Sequence, residues 1–228
     1  MLKLVAIITM FIDHFAVAFL NPMSLEYSIL RLIGRISMPL FAYMLANGYI
    51  HTRNYNKYLS RLLIMAIVAQ IPFTMLLYKI DLSTLLIPQY LPLIVTRLNI
   101  GFTFCVSLIF LKLMDIKNTK TSNMIITFIV GVFLLNYVKN CDYGAYCIFI
   151  VFVFYLCIGA YKNSPKALAI ASMLILALSF IFYGVSNQIF SALAILPIIF
   201  VPNTRYKYDK WIFYTFYPAH LFILAVLS

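Results

Sequence analysis

Apolar stretches long enough to cross a membrane recur from one end of this chain to the other. A transmembrane helix needs about 20 consecutive, mostly apolar residues. Segments of that kind fall at 3–20, 29–50, 58–78, 99–114, 122–138, 144–161, 166–183, 187–202 and 211–227. Nine such segments predict an all-α fold, a polytopic membrane helical bundle of nine transmembrane helices, built as a single domain over residues 1–228. Composition agrees, because 64% of the 228 residues are hydrophobic and only 10% are charged, more apolar surface than a soluble domain needs. The first segment lacks a small-residue cleavage site and leads into further spans, so it reads as a retained helix.

Basic residues orient the bundle. With the N-terminus cytosolic, twelve of the 17 Lys and Arg residues fall on the inner side, the bias expected of a multi-pass protein of the cell membrane. Arg31, Arg35, Lys79, Arg97 and Lys139 fall on the outer side or in the outer half of a span. The net charge of +11 is then mostly a topology signal plus attraction to anionic membrane lipid, with no nucleic-acid-binding design in it.

Two connections stand out. The segment "IDLSTLLIPQYLPLIVTRL" (80–98) is apolar but split by Pro88 and Pro92, so it is expected to lie in the interface or dip back as a lid. The outer loop "NCDYGAY" carries Asp142 and Gly144 in turn chemistry. There is no internal repeat, and nine spans fit poorly with two equal inverted halves. The four cysteines show no metal-binding spacing; Cys141 and Cys147 either pair in an oxidising compartment or stay as packing thiols.

Within "IITMFIDHFAVA", Asp13 and His14 interrupt the first span. Insertion scales charge about 2.5–3.5 kcal/mol for a charged residue at a helix centre. At the helical rise, His14 lies about 16 Å from the inner start of its span and His220 about 14 Å from the start of the last. Two histidines far apart in sequence thus meet at one depth. Gln70, before Pro72, reaches a similar level. Arg31 and Arg35 descend from outside, four apart and so on one helix face, and Asn99 and Thr103 repeat that spacing. Together these residues suggest a polar midplane chamber opening outward.

Plainer roles fit each residue too. Asp13 and Arg35 can form an ion pair that only fixes helix packing. Adjacent helical residues point about 100° apart, so Asp13 suits an arginine better than the neighbouring imidazole. Gln70, Asn99 and Thr103 can be interhelical hydrogen-bonding groups.

The segments "LKLVAIITMFIDHFA", "GRISMPLFAYMLANGYIHTRNYNKYLSRLLIMAIVAQIPF", "LNIGFTF", "DYGAY" and "FYPAHL" resemble the TraX family, in family order from residue 2 to 222, with weaker matching over 104–138 and 150–210. The family's namesake acetylates a pilin N-terminus from acetyl-CoA; the resemblance implies acetyl transfer from acetyl-CoA, and the chain shows no pilin-specific feature that carries the acceptor over. The resemblance also implies a site drawn from Asp13, His14, Arg35, His51, Arg53, Asn54, Arg61, Gln70, Asn99, Asp142, Tyr217 and His220. The first-span histidine and the terminal Tyr-x-x-His are similar to the wider transmembrane acyltransferases, which take acyl groups from cytosolic acyl-CoA.

The chemistry suits acyl transfer. An acceptor amine or hydroxyl needs a base, and a buried neutral imidazole such as His14 serves. Arg35, Gln70, Asn99 or His220 can stabilise the oxyanion, and Tyr217 can orient or protonate. Gln70, Asn99 and Asp142 are expected to bind the acceptor. No "GxSxG" elbow and no well-placed thiol occur, so direct transfer is favoured over an acyl-enzyme. At the inner rim, "HTRNYNKYLSR" and "RYKYDK" suit the phosphates of coenzyme A, with His51, Arg53, Asn54 and Arg61 as the expected contacts and no metal required. The expected function is acetyl transfer from cytosolic acetyl-CoA to an acceptor peptide or small molecule reached from outside. Other readings are an anion- or proton-coupled carrier built on the same His and Arg groups, and a structural partner in a secretion or conjugation complex.

Overall fold

Polar side chains placed between the apolar runs start the helices. Ser24, Asn54, Asn99 and Ser164 each accept a backbone N–H of the first turn that follows them, at 3.1, 2.9, 2.9 and 3.3 Å. Each satisfies a donor that the helix itself leaves unpaired. Pro165 follows Ser164 at the first helical position, where its missing N–H costs nothing.

The computed structural model describes residues 1–115, 138–159, 164–201 and 209–228. Its helices are α1 (Leu2–Phe19), α2 (Leu25–Gly34), α3 (Ser37–His51), α4 (Tyr55–Tyr78), α5 (Leu82–Leu85), α6 (Leu93–Thr96), α7 (Ile100–Met114), α8 (Gly144–Gly159), α9 (Pro165–Tyr183), α10 (Ile195–Phe200) and α11 (Asp209–Leu227). Short 3₁₀ stretches fill Val138–Asn140 and Asn187–Ala194. No strand occurs among the described residues.

Four stretches are long and apolar enough to cross a membrane: α1, α2 with α3 (Leu25–His51), α4 and α9. They coincide with the segments expected at 3–20, 29–50, 58–78 and 166–183. The expected spans at 99–114, 144–161 and 211–227 are met by shorter apolar helices. The segment 187–202 is not one regular span: eight residues of 3₁₀ helix precede a six-residue α10. Its Gln188 and Ser191 are buried in polar contacts that hold the tighter coil in place. The expected span at 122–138 lies almost wholly outside the described residues.

The centre of the bundle is α3, whose residues Ser37 to Tyr43 are all buried, packed against α1 and α8. Tyr43 meets Phe154 of α8 edge-on, with ring centroids 5.4 Å apart. The last helix, α11, packs on α4 and α1. Around this core, α4 and α9 expose Ile64, Ile67, Val68, Met173, Phe180 and Ile181. That is the outward-facing apolar surface of a protein solvated by lipid, and the chain is an all-helical membrane protein.

Helix ends meet as alternating spans require. Lys79 after α4 reaches the carbonyl of Ala18 near the end of α1, at 3.4 Å. Leu98 N–H donates to Asn140 O and Asp142 N–H to Leu98 O, both at 2.8 Å, so the segments before α7 and α8 lie side by side. The Pro-split 80–98 segment forms only the single turns α5 and α6 and is largely exposed. It does not cross the bundle, as expected. All four cysteines are free and buried, and Cys141 and Cys147 pack as thiols in this structure.

Candidate active site

His14 from α1 and His220 from α11 bond ring to ring, Nδ1 to Nε2, at 2.8 Å. The other nitrogen of His220, Nδ1, lies 2.8 Å from the carbonyl oxygen of Phe216, one helical turn earlier. A carbonyl only accepts, so His220 Nδ1 carries a proton. In the neutral pair His220 Nε2 is therefore the acceptor and His14 Nδ1 the donor. His14 Nε2 is left with its lone pair. Phe216 also stacks on the His220 ring at 4.8 Å, and Tyr217, 2% exposed, flanks both imidazoles.

His14 lines a cavity of about 40 Å³ together with Asp13, Ser37, Asp142, Tyr143 and Tyr217, closed by methionine and phenylalanine side chains. A water needs about 10–15 Å³ by this measure, so the space suits a group of about three heavy atoms.

Asp13 bonds Arg31, Oδ2 to the guanidinium at 2.6 Å. This corrects the expected Asp13–Arg35 pair. The two arginine side chains diverge at the end of α2: Arg31 turns to α1, whereas Arg35 donates to Tyr143 Oη at 3.2 Å and to Gln188 Oε1 at 3.1 Å. No carboxylate lies within bridging distance of Arg35 among the described residues. Gly34 packs flush on the Asp13 side chain, and any Cβ there would overlap the carboxyl group.

Gln70 and Asn99 are brought together, but their polar atoms are already used. Gln70 Nε2 donates to the carbonyls of Ile94 and Arg97 at 2.7 and 3.0 Å, while its Oε1 accepts the Asn99 side chain at 2.8 Å. The Asn99 amide also donates to Ala66 O at 2.8 Å. This pair ties the irregular segment before α7 to α4 and stays out of the cavity wall. Thr103 likewise donates to Asp142 O at 2.7 Å, holding the loop that presents Asp142 and Tyr143. Asp142 bridges Arg97 at 3.3 Å.

His51, Arg53 and Asn54 sit exposed around the start of α4. The His51 ring contacts Asn47 O at 2.8 Å and Asn54 caps the helix. Arg61, one to two turns on, edges an apolar groove of about 750 Å³ between α4 and α11. Met65 is common to that groove and to the His14 cavity. The "RYKYDK" cluster lies at 205–210, outside what is described for side chains. No group of three or more His, Cys, Asp or Glu poised for a metal occurs among the described residues.

Two residues of this site carry little signal in the sequence, Tyr143 and Gln188. Tyr143 lies within "DYGAY", where the neighbouring acid and glycine are the more conspicuous residues. Gln188 is marked only as an amide in an apolar segment.

Comparison with known proteins places the whole chain. The family described as TraX protein matches residues 1–228. A probable fimbrial assembly protein FimC (serogroup H1) of Dichelobacter nodosus is 30% identical over 240 residues, covering 98% of this chain and 93% of that protein. An uncharacterized protein of Rickettsia prowazekii (strain Madrid E) is 38% identical over 92 residues, 40% of this chain and 33% of the other. No solved structure matches. With every residue covered by that one family and a relative aligned nearly end to end, the chain belongs to the TraX family.

Proposed function

We propose that this chain is a membrane acetyltransferase that moves an acetyl group from cytosolic acetyl-CoA to an amine or hydroxyl acceptor reached from the outer side. The observation that carries the reading is the directed histidine pair. Its hydrogen-bond polarity leaves His14 Nε2 as an unprotonated base on a buried cavity of acetyl size. In the reaction, the acceptor nitrogen or oxygen bonds the thioester carbonyl carbon while its proton passes to His14 Nε2. His220 keeps accepting the Nδ1 proton, a bond that strengthens as His14 becomes cationic. When the carbon–sulfur bond breaks, the thiolate leaves and takes the proton back from His14.

The inner-rim His51, Arg53, Asn54 and Arg61 hold the coenzyme A phosphates. The groove from Arg61 to Met65 supports a route from that rim to the cavity wall. The bundle lies in the cell membrane with nine spans, the 187–202 segment as an irregular one, and with its N-terminus cytosolic. The fimbrial assembly relative supports a peptide N-terminus, such as that of a pilin, as the acceptor.

The test is acetyl transfer by the purified protein from radiolabelled acetyl-CoA, alongside a thermal shift with coenzyme A. Bound ligand stabilises by RT ln(1 + [L]/Kd). The absence of both stabilisation and transfer would overturn the reading, and a carrier would respond to its solute instead.

A further inference from the structure

We infer that Tyr143 is a catalytic residue of this site, the hydroxyl that donates to the oxyanion as the acyl group changes hands. The inference rests on the acetyltransferase reading and assigns the oxyanion donor within it.

Tyr143 lines the same cavity as His14 and comes from a different element, the turn before α8. Its Oη accepts a hydrogen bond from Arg35 at 3.2 Å. Arginine has no lone pair to return, so the phenolic proton must be directed elsewhere. No described residue accepts it. Arg35 strengthens that donor, since its guanidinium hydrogen-bonds two neutral oxygens, Tyr143 Oη and Gln188 Oε1, with no carboxylate within bridging distance among the described residues. A cation behind a hydroxyl polarises the O–H outward, toward whatever occupies the cavity. Arg35 itself is not in the cavity wall, so its charge acts there through the tyrosine.

The backbone points the same way. Tyr143 has φ +60°, a left-handed conformation that a bulky residue seldom adopts. The bonds from Asp142 N–H to Leu98 O and from Thr103 to Asp142 O hold it there, at 2.8 and 2.7 Å. Strain maintained by surrounding contacts is a mark of a functional position. In the step assigned to it, nucleophilic attack on the thioester carbon moves the carbonyl π pair onto oxygen. Tyr143 donates a hydrogen bond to that oxygen and keeps its own proton. The acceptor's proton goes to His14, and collapse expels the thiolate.

The test uses the full-length protein in detergent, acetyl-CoA as donor and glycinamide as acceptor. Tyr143→Phe keeps the ring and removes the donor. It should lower kcat about 10²–10³-fold, as for loss of one oxyanion-hole donor, with KM for acetyl-CoA and the melting temperature nearly unchanged. A kcat within threefold of wild type, or a loss appearing only in KM, overturns the assignment while leaving the acetyltransferase reading intact. A second measurement needs no turnover: the ¹³C-labelled acetyl carbonyl of bound acetyl-CoA should show a lowered stretching frequency with the unaltered protein. An unshifted band also overturns the assignment. A wild-type protein that neither binds coenzyme A nor transfers acetyl defeats the broader reading and this one with it.

Discussion

His220 Nε2 accepts the Nδ1 proton of His14 at 2.8 Å, and Phe216 O fixes which His220 nitrogen is free to do so. In the proposed reaction His220 is thereby an orienting group, and His14 the base. Replacing His14 by Ala should reduce acetyl transfer about 10²–10⁴-fold. His220→Ala should be impaired less, because a base remains but is no longer held in one tautomer. His220→Gln offers an amide oxygen to the same proton and should recover part of that loss. Equal activity for His220→Ala and wild type would remove the orienting role.

The meeting of these two histidines is legible in the sequence because it depends on helical rise, and both helices run unbroken through that depth, α11 even across Pro218. Gln70 and Asn99 are met in the plainer of their two expected roles, hydrogen bonding between helices, though not all their partners can be read from the sequence. Their partners include backbone carbonyls of 94–97, a stretch whose irregular path no periodicity encodes. Arg31 and Arg35 share a spacing but not a destination, since long side chains leaving the end of a helix are steered by tertiary neighbours. Tyr143 is hidden for a third reason, a left-handed φ that sequence patterns assign to glycine.

Gly34 should tolerate no side chain. A Cβ would overlap the Asp13 carboxyl, which is buried and bonded to Arg31, so either α1 and α2 separate or the ion pair breaks. Gly34→Ala should lower stability by about 1–3 kcal/mol, the usual range for overpacking. Thermal unfolding in detergent reads this directly, and an unchanged melting temperature would show that the helices can part freely.

Topology can be read by thiol labelling, because the four native cysteines are buried and should react slowly. Asn56 at the start of α4 and Gln89 between α5 and α6 are both exposed. In intact cells an impermeant maleimide should label Gln89→Cys and spare Asn56→Cys. The reverse pattern would invert the bundle and put the acceptor in the cytosol.

Asp13 and Arg31 should behave as one unit. Removing one partner of a buried pair costs about 3–5 kcal/mol. Arg31 keeps 22% of its side chain exposed, so the lower end is expected for Asp13→Asn. Adding Arg31→Gln should restore part of that stability, giving a coupling energy in a double-mutant cycle. Adding Arg35→Gln instead should give a smaller coupling, because Arg35 bonds Tyr143 and Gln188 and acts on Asp13 only through space.

The donor end of the site can be separated from its chemistry. Arg53 is exposed beside the start of α4, and Arg61 edges the groove that reaches Met65. Both are on the rim assigned to the coenzyme A phosphates, away from the His14 cavity lining. A hydrogen bond to a charged group contributes about 1.5–3 kcal/mol, so Arg53→Gln with Arg61→Gln should weaken coenzyme A binding at least about tenfold. Calorimetry with coenzyme A measures this without any acceptor. The melting temperature without ligand, measured alongside, tells a loss of fold from a loss of affinity. In the same assay His14→Ala should bind coenzyme A within a few-fold of wild type, since its imidazole lies beyond Met65. Unchanged affinity in the double arginine variant would return both residues to orienting the helix in the membrane.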